Sequence, residues 1–290
     1  MFNRSKLGAV VVLYNPPANI RENISTYLSF VNYLCIIDNS DCDNSNFFSA
    51  ATFSNVHYFP NNQNLGIAAA LNKGIQFCEQ LGCEWVLTMD QDSSFQPNEI
   101  AQYLKCIEES LIRYVGIFAP NYIHKLSKIS SCDSMEVDTA ITSGSIINIK
   151  KLSELGGFNE KLFIDGVDDD ICYRFKLAGY KVLHFKNVTL THQLGEPRIV
   201  RNWFIGKMVS RNLHSPIRIY YMVRNYLYLI NRYKVHFPSK IPEYRKELLI
   251  KIKNGILYDN NRWLVIKLAI RGIIDFRLNK FGKLEKGEKA

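Results

Sequence analysis

The apolar run Trp85-Val86-Leu87-Thr88-Met89 stops abruptly at Asp90-Gln91-Asp92. A run of that length, bounded by polar residues, is consistent with a strand buried on both faces. Comparable runs recur at residues 9–14, 33–38, 56–59, 115–120, 140–149 and 181–185. Between them, residues 20–30, 66–81, 97–113 and 168–178 read as helices. Strands alternating with helices at this spacing predict an α/β fold with a mostly parallel sheet through residue 190. Open α/β sheets collect ligands at the carboxyl ends of their strands, where Asp90 and Asp92 would emerge. Two carboxylates one residue apart make a compact hard-oxygen site for Mg²⁺ or Mn²⁺ and, through the metal, for a diphosphate. An acidic turn after a strand would use the same residues.

Length and composition leave room for one large domain, or one domain with an appendage, since 47% of the 290 residues are apolar. No apolar stretch approaches the roughly 20 residues of a membrane span. The N-terminus runs straight into the first strand without a signal-peptide pattern. Seven cysteines with no Cys-x-x-Cys pair read as buried or inert thiols of a reducing cytoplasm, and argue against zinc. The net charge of +9 is uneven: residues 198–290 hold 21 Lys and Arg against 6 Asp and Glu, whereas residues 1–197 hold 15 against 21. A catalytic domain over 1–199, joined to a basic, aromatic-rich helical region over 200–290 that meets an anionic surface, is the expectation. A break between helices is expected at 236–242, and the tail from 280 is expected to fray.

Four further features accompany the acid pair. Strands ending at Tyr14 and Asp38 could hold a nucleoside, Tyr14 by stacking on a base and Asp38 by accepting a hydrogen bond; a Pro-terminated strand and an Asx turn are the plainer alternatives. Asn64-Leu65-Gly66, followed by small residues, would bring a helix N-terminus close to the sheet or to a phosphate, with Asn64 also suited to capping. Asp165, Asp168, Asp169 and Asp170 crowd four carboxylates into six residues at a helix start, where one could serve as general base. Asp170 and Arg174, at i and i+4, suit a structural salt bridge. His192, just past a strand, could be a third protein ligand to the metal or an ordinary imidazole.

In this order the motifs resemble those of family 2 glycosyltransferases of the GT-A fold, and among them the bacterial rhamnosyltransferase-like enzymes. The carriers are Val-Val-Leu-Tyr-Asn-Pro (11–16), Ile-Asp-Asn-Ser (37–40), Asn-Leu-Gly-Ile-Ala-Ala-Ala-Leu-Asn-Lys-Gly (64–74) and Asp-Gln-Asp-Ser (90–93). They continue with Thr-Ser-Gly-Ser (142–145), Leu-Phe-Ile-Asp-Gly-Val-Asp (162–168), His-Gln-Leu-Gly (192–195) and Tyr-Tyr-Met-Val-Arg-Asn (220–225). The resemblance spans roughly residues 7–235. It implies inverting transfer of a sugar from a nucleotide-diphospho-sugar donor, for this subgroup dTDP-β-L-rhamnose. The acceptor it implies is a saccharide of bacterial surface polysaccharide of O-antigen or capsule type, often on a polyprenyl diphosphate.

Residue by residue, the resemblance assigns Asp90, Asp92 and His192 to the metal and diphosphate. Tyr14, Asp38, Asn64, Gly66 and Gln91 go to the donor nucleotide. Thr142, Ser143 and Gly144 go to the sugar and acceptor pocket, which Asp165 and Asp169 adjoin, and Asp168 matches the catalytic base, with Asp165 and Asp169 as neighbouring alternatives. Many family members carry Glu-Asp where this chain has Val167-Asp168, with their next acid at the position of Asp170. A single displacement needs one base and no protein nucleophile, in keeping with the lack of a nucleophile elbow.

Basic, Tyr- and Trp-rich helices suit a peripheral position on the cytoplasmic face of the inner membrane, or an oligomer interface. Arg224 could reach a phosphate or pair within its helix. Two rival functions are weaker. A metal-dependent phosphotransferase using Asp90 would place Asp-x-Asp on the first strand. A nucleic-acid-binding module built on the basic third would leave the acidic clusters idle, and no nucleic-acid motif is present.

Overall fold

The computed structural model describes residues 2–48, 54–122, 132–192, 198–202, 206–211 and 213–285. The chain forms two compact units, one of Met1–Glu160 with Val167–Gln193, the other of Lys161–Gly166 with Leu194–Ala290.

The first unit is built on β1 (Leu7–Leu13), α1 (Ile20–Leu28), β2 (Tyr33–Asp38), β3 (Val56–Pro60), α2 (Ile67–Gln80), β4 (Trp85–Asp90) and β5 (Ser93–Phe95). It continues through α3 (Glu99–Glu109), β6 (Val115–Asn121), β7 (Ser134–Glu136), β8 (Ile146–Asn148), α4 (Ile149–Glu154), α5 (Val167–Leu177) and β9 (Lys181–His192). The strand order is β3-β2-β1-β4-β8-β6-β9-β5, with β7 paired to β9. β1 runs parallel to β2 and β4, β2 parallel to β3, and β6 parallel to β9, while β8 lies antiparallel between β4 and β6. All seven residues of β1 are buried, as its unbroken apolar run demands of a strand covered on both faces.

The topology fixes where a ligand can sit. From β1 the chain moves outward to β2 and β3, then returns through α2 to lay β4 on the other side of β1. The carboxyl ends of β1 and β4 therefore flank a topological switch point. α2 lies so close to the sheet that a Cβ on Gly74 would stand 2.6 Å from Val10 Cγ1.

Two expectations for this unit need correction. Only Ile146–Asn148 of the apolar stretch 140–149 is strand, because the preceding residues form a loop bonded to β4. The thiols are not all free: Cys106 of α3 and Cys132 form a disulfide across 26 residues. The bond joins a helix to a distant loop, a pairing that no local cysteine spacing announces. Cys35, Cys78, Cys83 and Cys172 are buried thiols and Cys42 is exposed.

The second unit opens with an antiparallel hairpin, β10 (Arg198–Asn202) and β11 (Lys207–Arg211), where helix was expected. Then follow α6 (Pro216–Tyr233), α7 (Lys240–Tyr258) and α8 (Arg262–Arg277). Ser215 caps α6 by accepting from the Arg218 N–H, with Pro216 at the first helical position. α8 crosses α6 at Gly272, where a Cβ would meet the Tyr220 carbonyl at 2.8 Å. Ile219, Met222, Val223, Val265 and Ala269 form the buried seam. Among the described residues no helix is long and apolar enough to cross a membrane.

Candidate active site

At the carboxyl end of β1, Tyr14 leaves the sheet with 45% of its surface exposed, so its ring is available for stacking. Its backbone is fixed by Gln91. The Tyr14 N–H donates to Gln91 Oε1 at 2.8 Å, and Gln91 Nε2 donates to the Tyr14 carbonyl at 3.1 Å. Asn23 of α1 donates to the Gln91 carbonyl at 2.8 Å, tying the turn after β4 to the first helix.

Asp38 behaves differently from the expected base reader. It is fully buried, and its carboxylate accepts from the Ser40 N–H at 2.8 Å, Asn44 Nδ2 at 2.8 Å and the Tyr58 hydroxyl at 2.7 Å. Burial, followed by this bond to Asp38, pushes the Tyr58 phenol up, so it stays a donor. Asp38 thus organises the loop after β2 and offers no surface to a ligand. Beside it, Asn39 donates to the Gly66 carbonyl at 3.0 Å and accepts from Asn61 Nδ2 at 2.8 Å, linking β2 to the entry of α2. Gly66 is the N-cap of α2 at φ 89, a left-handed conformation that favours glycine. Asn64 Oδ1 accepts from the Gly66 N–H at 2.9 Å, an Asx turn rather than the cap itself.

The turn after β4 is held by the loop before β8. The Asp90 N–H donates to Ser143 Oγ at 3.0 Å, and the Ser143 hydroxyl donates to Ser93 Oγ at 2.8 Å. Gly144 N–H donates to the Thr88 carbonyl at 2.7 Å, Thr88 N–H to the Ser145 carbonyl at 2.9 Å, and the Thr88 hydroxyl to the Thr142 carbonyl at 2.6 Å. Gly144 sits at φ 76 with no room for a Cβ, which would lie 2.8 Å from Leu190 Cδ2 and from Pro120 Cγ. From the same loop, the Thr142 hydroxyl bonds Asp168 Oδ1 in the first turn of α5. Residues 142–145 therefore couple the Asp90 turn to Asp168.

Tyr122 completes the site and was missed in the sequence, although it follows β6 as Tyr14 follows β1. Its hydroxyl donates to the Ser143 carbonyl at 2.7 Å and lies 3.0 Å from the Ile141 carbonyl. Burial, then the charge of Asp168 and more weakly that of Asp90, hold its phenol well above the ordinary value. One protonated phenol is thus in the field of both acids.

The rest of the acidic cluster divides by task. Asp170 is buried in an ion pair with Arg174 at 2.8 Å, the i, i+4 bridge expected of it. Asp169 is half-buried in the first turn of α5. In the second unit, Asp165 is engaged by Arg218, whose Nη2 lies 3.0 Å from Oδ1, so its carboxylate belongs to an ion pair rather than to an open sugar pocket. Arg224 is also corrected. It is 1% exposed, donates to the carbonyls of Gly282 at 2.8 Å and Leu162 at 3.1 Å, and lies against the rings of Tyr220, Tyr221 and Phe281. Its guanidinium supports the loop 161–166 and is not placed to meet a phosphate. His192 ends β9 with its backbone paired to Ser93; its side chain and Gln193, Leu194 and Gly195 lie outside the described residues.

The donor set suits a hard divalent cation. Mg²⁺ and Mn²⁺ favour oxygen, and magnesium sites typically use one or two carboxylates plus substrate phosphates and water. Asp90 and Asp92 supply two such groups, with Asp92 Oδ1 out of contact with solvent. Among the described residues no group of three or more His, Cys, Asp or Glu side chains is arranged to hold a metal ion by itself.

A family described as glycosyl transferase family 2 matches residues 9–135, the segment that carries Tyr14, Asp38, the α2 entry and the Asp90 turn. A dTDP-rhamnosyl transferase, RfbF of Shigella flexneri, is 27% identical over 300 residues, covering 93% of this chain and 97% of the relative. The matched segment is of the glycosyl transferase family 2 type, and the chain is similar to a rhamnosyl transferase over most of its length. Solved structures agree on the fold. TarS 1–349 of S. aureus in complex with UDP-GlcNAc superposes with a TM-score of 0.60 at 16% identity, over 95% of this chain and 81% of that one. GalNAc-T7 with UDP, GalNAc and Mn²⁺ gives 0.58 at 14% identity, over 96% of this chain and 58% of that one. These are GT-A glycosyltransferases, and this chain shares their mixed sheet with flanking helices.

Proposed function

We propose that the enzyme transfers L-rhamnose from dTDP-β-L-rhamnose to a hydroxyl of a saccharide acceptor, with inversion at the anomeric carbon. The observation that carries this reading is the loop 142–145, which bonds the Asp90 turn at one end and Asp168 at the other. A donor-diphosphate site and a base are thereby held by one rigid element. The donor sugar is supported by the RfbF relative. In this reading the acceptor belongs to bacterial surface polysaccharide, is carried on a polyprenyl diphosphate, and is met at the cytoplasmic face of the inner membrane, where the basic C-terminal unit would face anionic lipid.

Tyr14 stacks on the base, Gln91 fixes the Tyr14 backbone, and the N-terminus of α2 faces negative charge with its free N–H groups. Asp90 and Asp92 would hold Mg²⁺ or Mn²⁺. That cation, when bound, offsets charge developing on the departing nucleoside diphosphate. Asp168 removes the proton from the acceptor hydroxyl as it attacks the anomeric carbon from the face opposite the leaving group. Thr142 orients the Asp168 carboxylate. Tyr122 stays neutral between the acids and so adds no third negative charge.

The test is calorimetric titration with dTDP-rhamnose, UDP-glucose and GDP-mannose, each with Mn²⁺ and with EDTA, repeated on Asp92→Ala. Binding of dTDP-rhamnose that needs the cation and disappears in the variant is expected. Preference for another nucleotide sugar would overturn the donor, and undiminished binding in EDTA would overturn the metal.

A further inference from the structure

α8 is amphipathic in an unusual sense. One face carries Val265, Leu268, Ala269 and Gly272, which are buried, and meets α6. The opposite face should then be polar, yet Trp263 is 78% exposed, Ile270 51%, Ile274 44% and Leu278 61%. These residues recur at intervals of seven, four and four, one stripe down the helix. Lys267 and Arg277 fall within the same stripe, and Arg262 and Lys280 close its two ends. The acid of this stretch, Asp275, is buried and taken by Arg271 at 2.9 Å and the Tyr220 hydroxyl at 2.8 Å. No carboxylate from residues 262–280 therefore faces outward.

At the carboxyl end of the stripe the second unit holds a cavity of about 540 Å³, lined by Tyr228, Asn231, Arg232, Arg277, Asn279 and Phe281 among others. Two guanidinium groups, two side-chain amides and aromatic walls make a receptor for a phosphodiester: arginine forks match phosphate oxygens, and aromatic rings settle at the depth of lipid head groups.

We infer that the outward face of α8, with this cavity, is the surface on which the protein docks to an anionic phospholipid bilayer. Charge complementarity selects that occupant. A second copy of the chain would bring the same Lys and Arg residues against themselves, which costs free energy at an isologous contact. A nucleic acid would satisfy the charges but gains nothing from Ile270, Ile274 and Leu278. A bilayer meets both, with anionic head groups for the cations and the acyl boundary for Trp263 and the aliphatic side chains. The inference deepens the membrane-surface part of the function proposed above and is independent of the donor sugar.

Sedimentation of the full chain with vesicles of pure phosphatidylglycerol and of pure phosphatidylcholine tests it. The wild type is expected to sediment with the anionic vesicles, to do so less as salt rises, and to ignore the zwitterionic ones. Lys267→Gln with Arg277→Gln should weaken that binding by about tenfold or more, and Trp263→Ser with Ile270→Ser should do the same without changing the salt dependence. Both pairs are surface changes, so their thermal midpoints and donor binding should match the wild type. Failure of the wild type to sediment with phosphatidylglycerol, equal binding by the variants, or a dimer in solution that the Trp263 and Ile270 changes dissociate would each overturn the inference. Donor titration on the same preparations reports separately on the catalytic reading.

Discussion

Gln91 binds the backbone of Tyr14 through both ends of its side-chain amide, accepting the Tyr14 N–H at 2.8 Å and donating to the Tyr14 carbonyl at 3.1 Å. A residue one position from each acid of the Asp-x-Asp turn thus sets where the exposed Tyr14 ring stands. A single side chain thus joins the turn after β4 to the end of β1 across the switch point.

Gln91→Ala should therefore weaken donor binding while leaving the fold intact. Two partly exposed hydrogen bonds are worth about 0.5–1.5 kcal/mol each, so a donor affinity loss of about tenfold is expected by calorimetry. The thermal midpoint should stay close to wild type, because the clamp lies at the rim of the core. Gln91→Glu should be worse for the donor, since it loses the bond to the Tyr14 carbonyl and adds a third negative charge beside Asp90 and Asp92.

How much of this was legible in the sequence depends on whether local signals suffice. The buried strands were readable because β1 and β4 are apolar on both faces, and the acid pair because it interrupts such a strand. Asp38 was recognisable as a strand-end acid, but its burial is set by Asn44 and Tyr58, six and 20 residues away. Arg224 looked like a phosphate ligand because its partners, the carbonyls of Leu162 and Gly282, come from loops 62 and 58 residues distant. The paired strands 198–202 and 207–211 escaped notice since, rich in Arg and Lys, they show no alternating apolar face to read. Long-range partners, not local propensity, decide these cases.

Arg224→Met should separate the structural role from a phosphate-binding one. Removal would leave the Gly282 carbonyl without its buried donor, at about 1–3 kcal/mol, while the Leu162 carbonyl keeps the Asn225 amide at 2.8 Å. The thermal midpoint should fall by several degrees. At temperatures where the variant is folded, the donor dissociation constant should be unchanged. A donor affinity loss with no loss of stability would return Arg224 to the phosphate.

Alkaline pH should destabilise the fold through its buried phenols. Burial raises Tyr27, Tyr103 and Tyr122 above the ordinary value of 10.0. The raised folded-state values mean that above pH 10.0 the unfolded chain releases phenolic protons which the native state keeps. The stabilisation is complete below that pH and declines as pH rises through the folded values. Urea unfolding from pH 8 to pH 11 should show a level region followed by a fall, on the pH scale of free tyrosine. Tyr27→Phe should make the fall shallower, and an unchanged slope would refute the account.

Asp168 and Thr142 give the sharpest chemical contrast. If Asp168 takes the acceptor proton, Asp168→Asn should lower kcat by about 10²–10⁴ while donor affinity is retained. Thr142 touches that carboxylate and acts through it, so Thr142→Val should lower kcat by a smaller factor, about tenfold, without moving the donor KM. Thr142→Ser keeps a hydroxyl at the same position and should restore most of the rate, which a purely packing role for the Thr142 methyl would not allow. Rapid-quench measurement of the first turnover, with donor prebound, removes product release from the comparison. A normal first turnover in Asp168→Asn would move the base to Asp169, the neighbouring acid in the same helical turn.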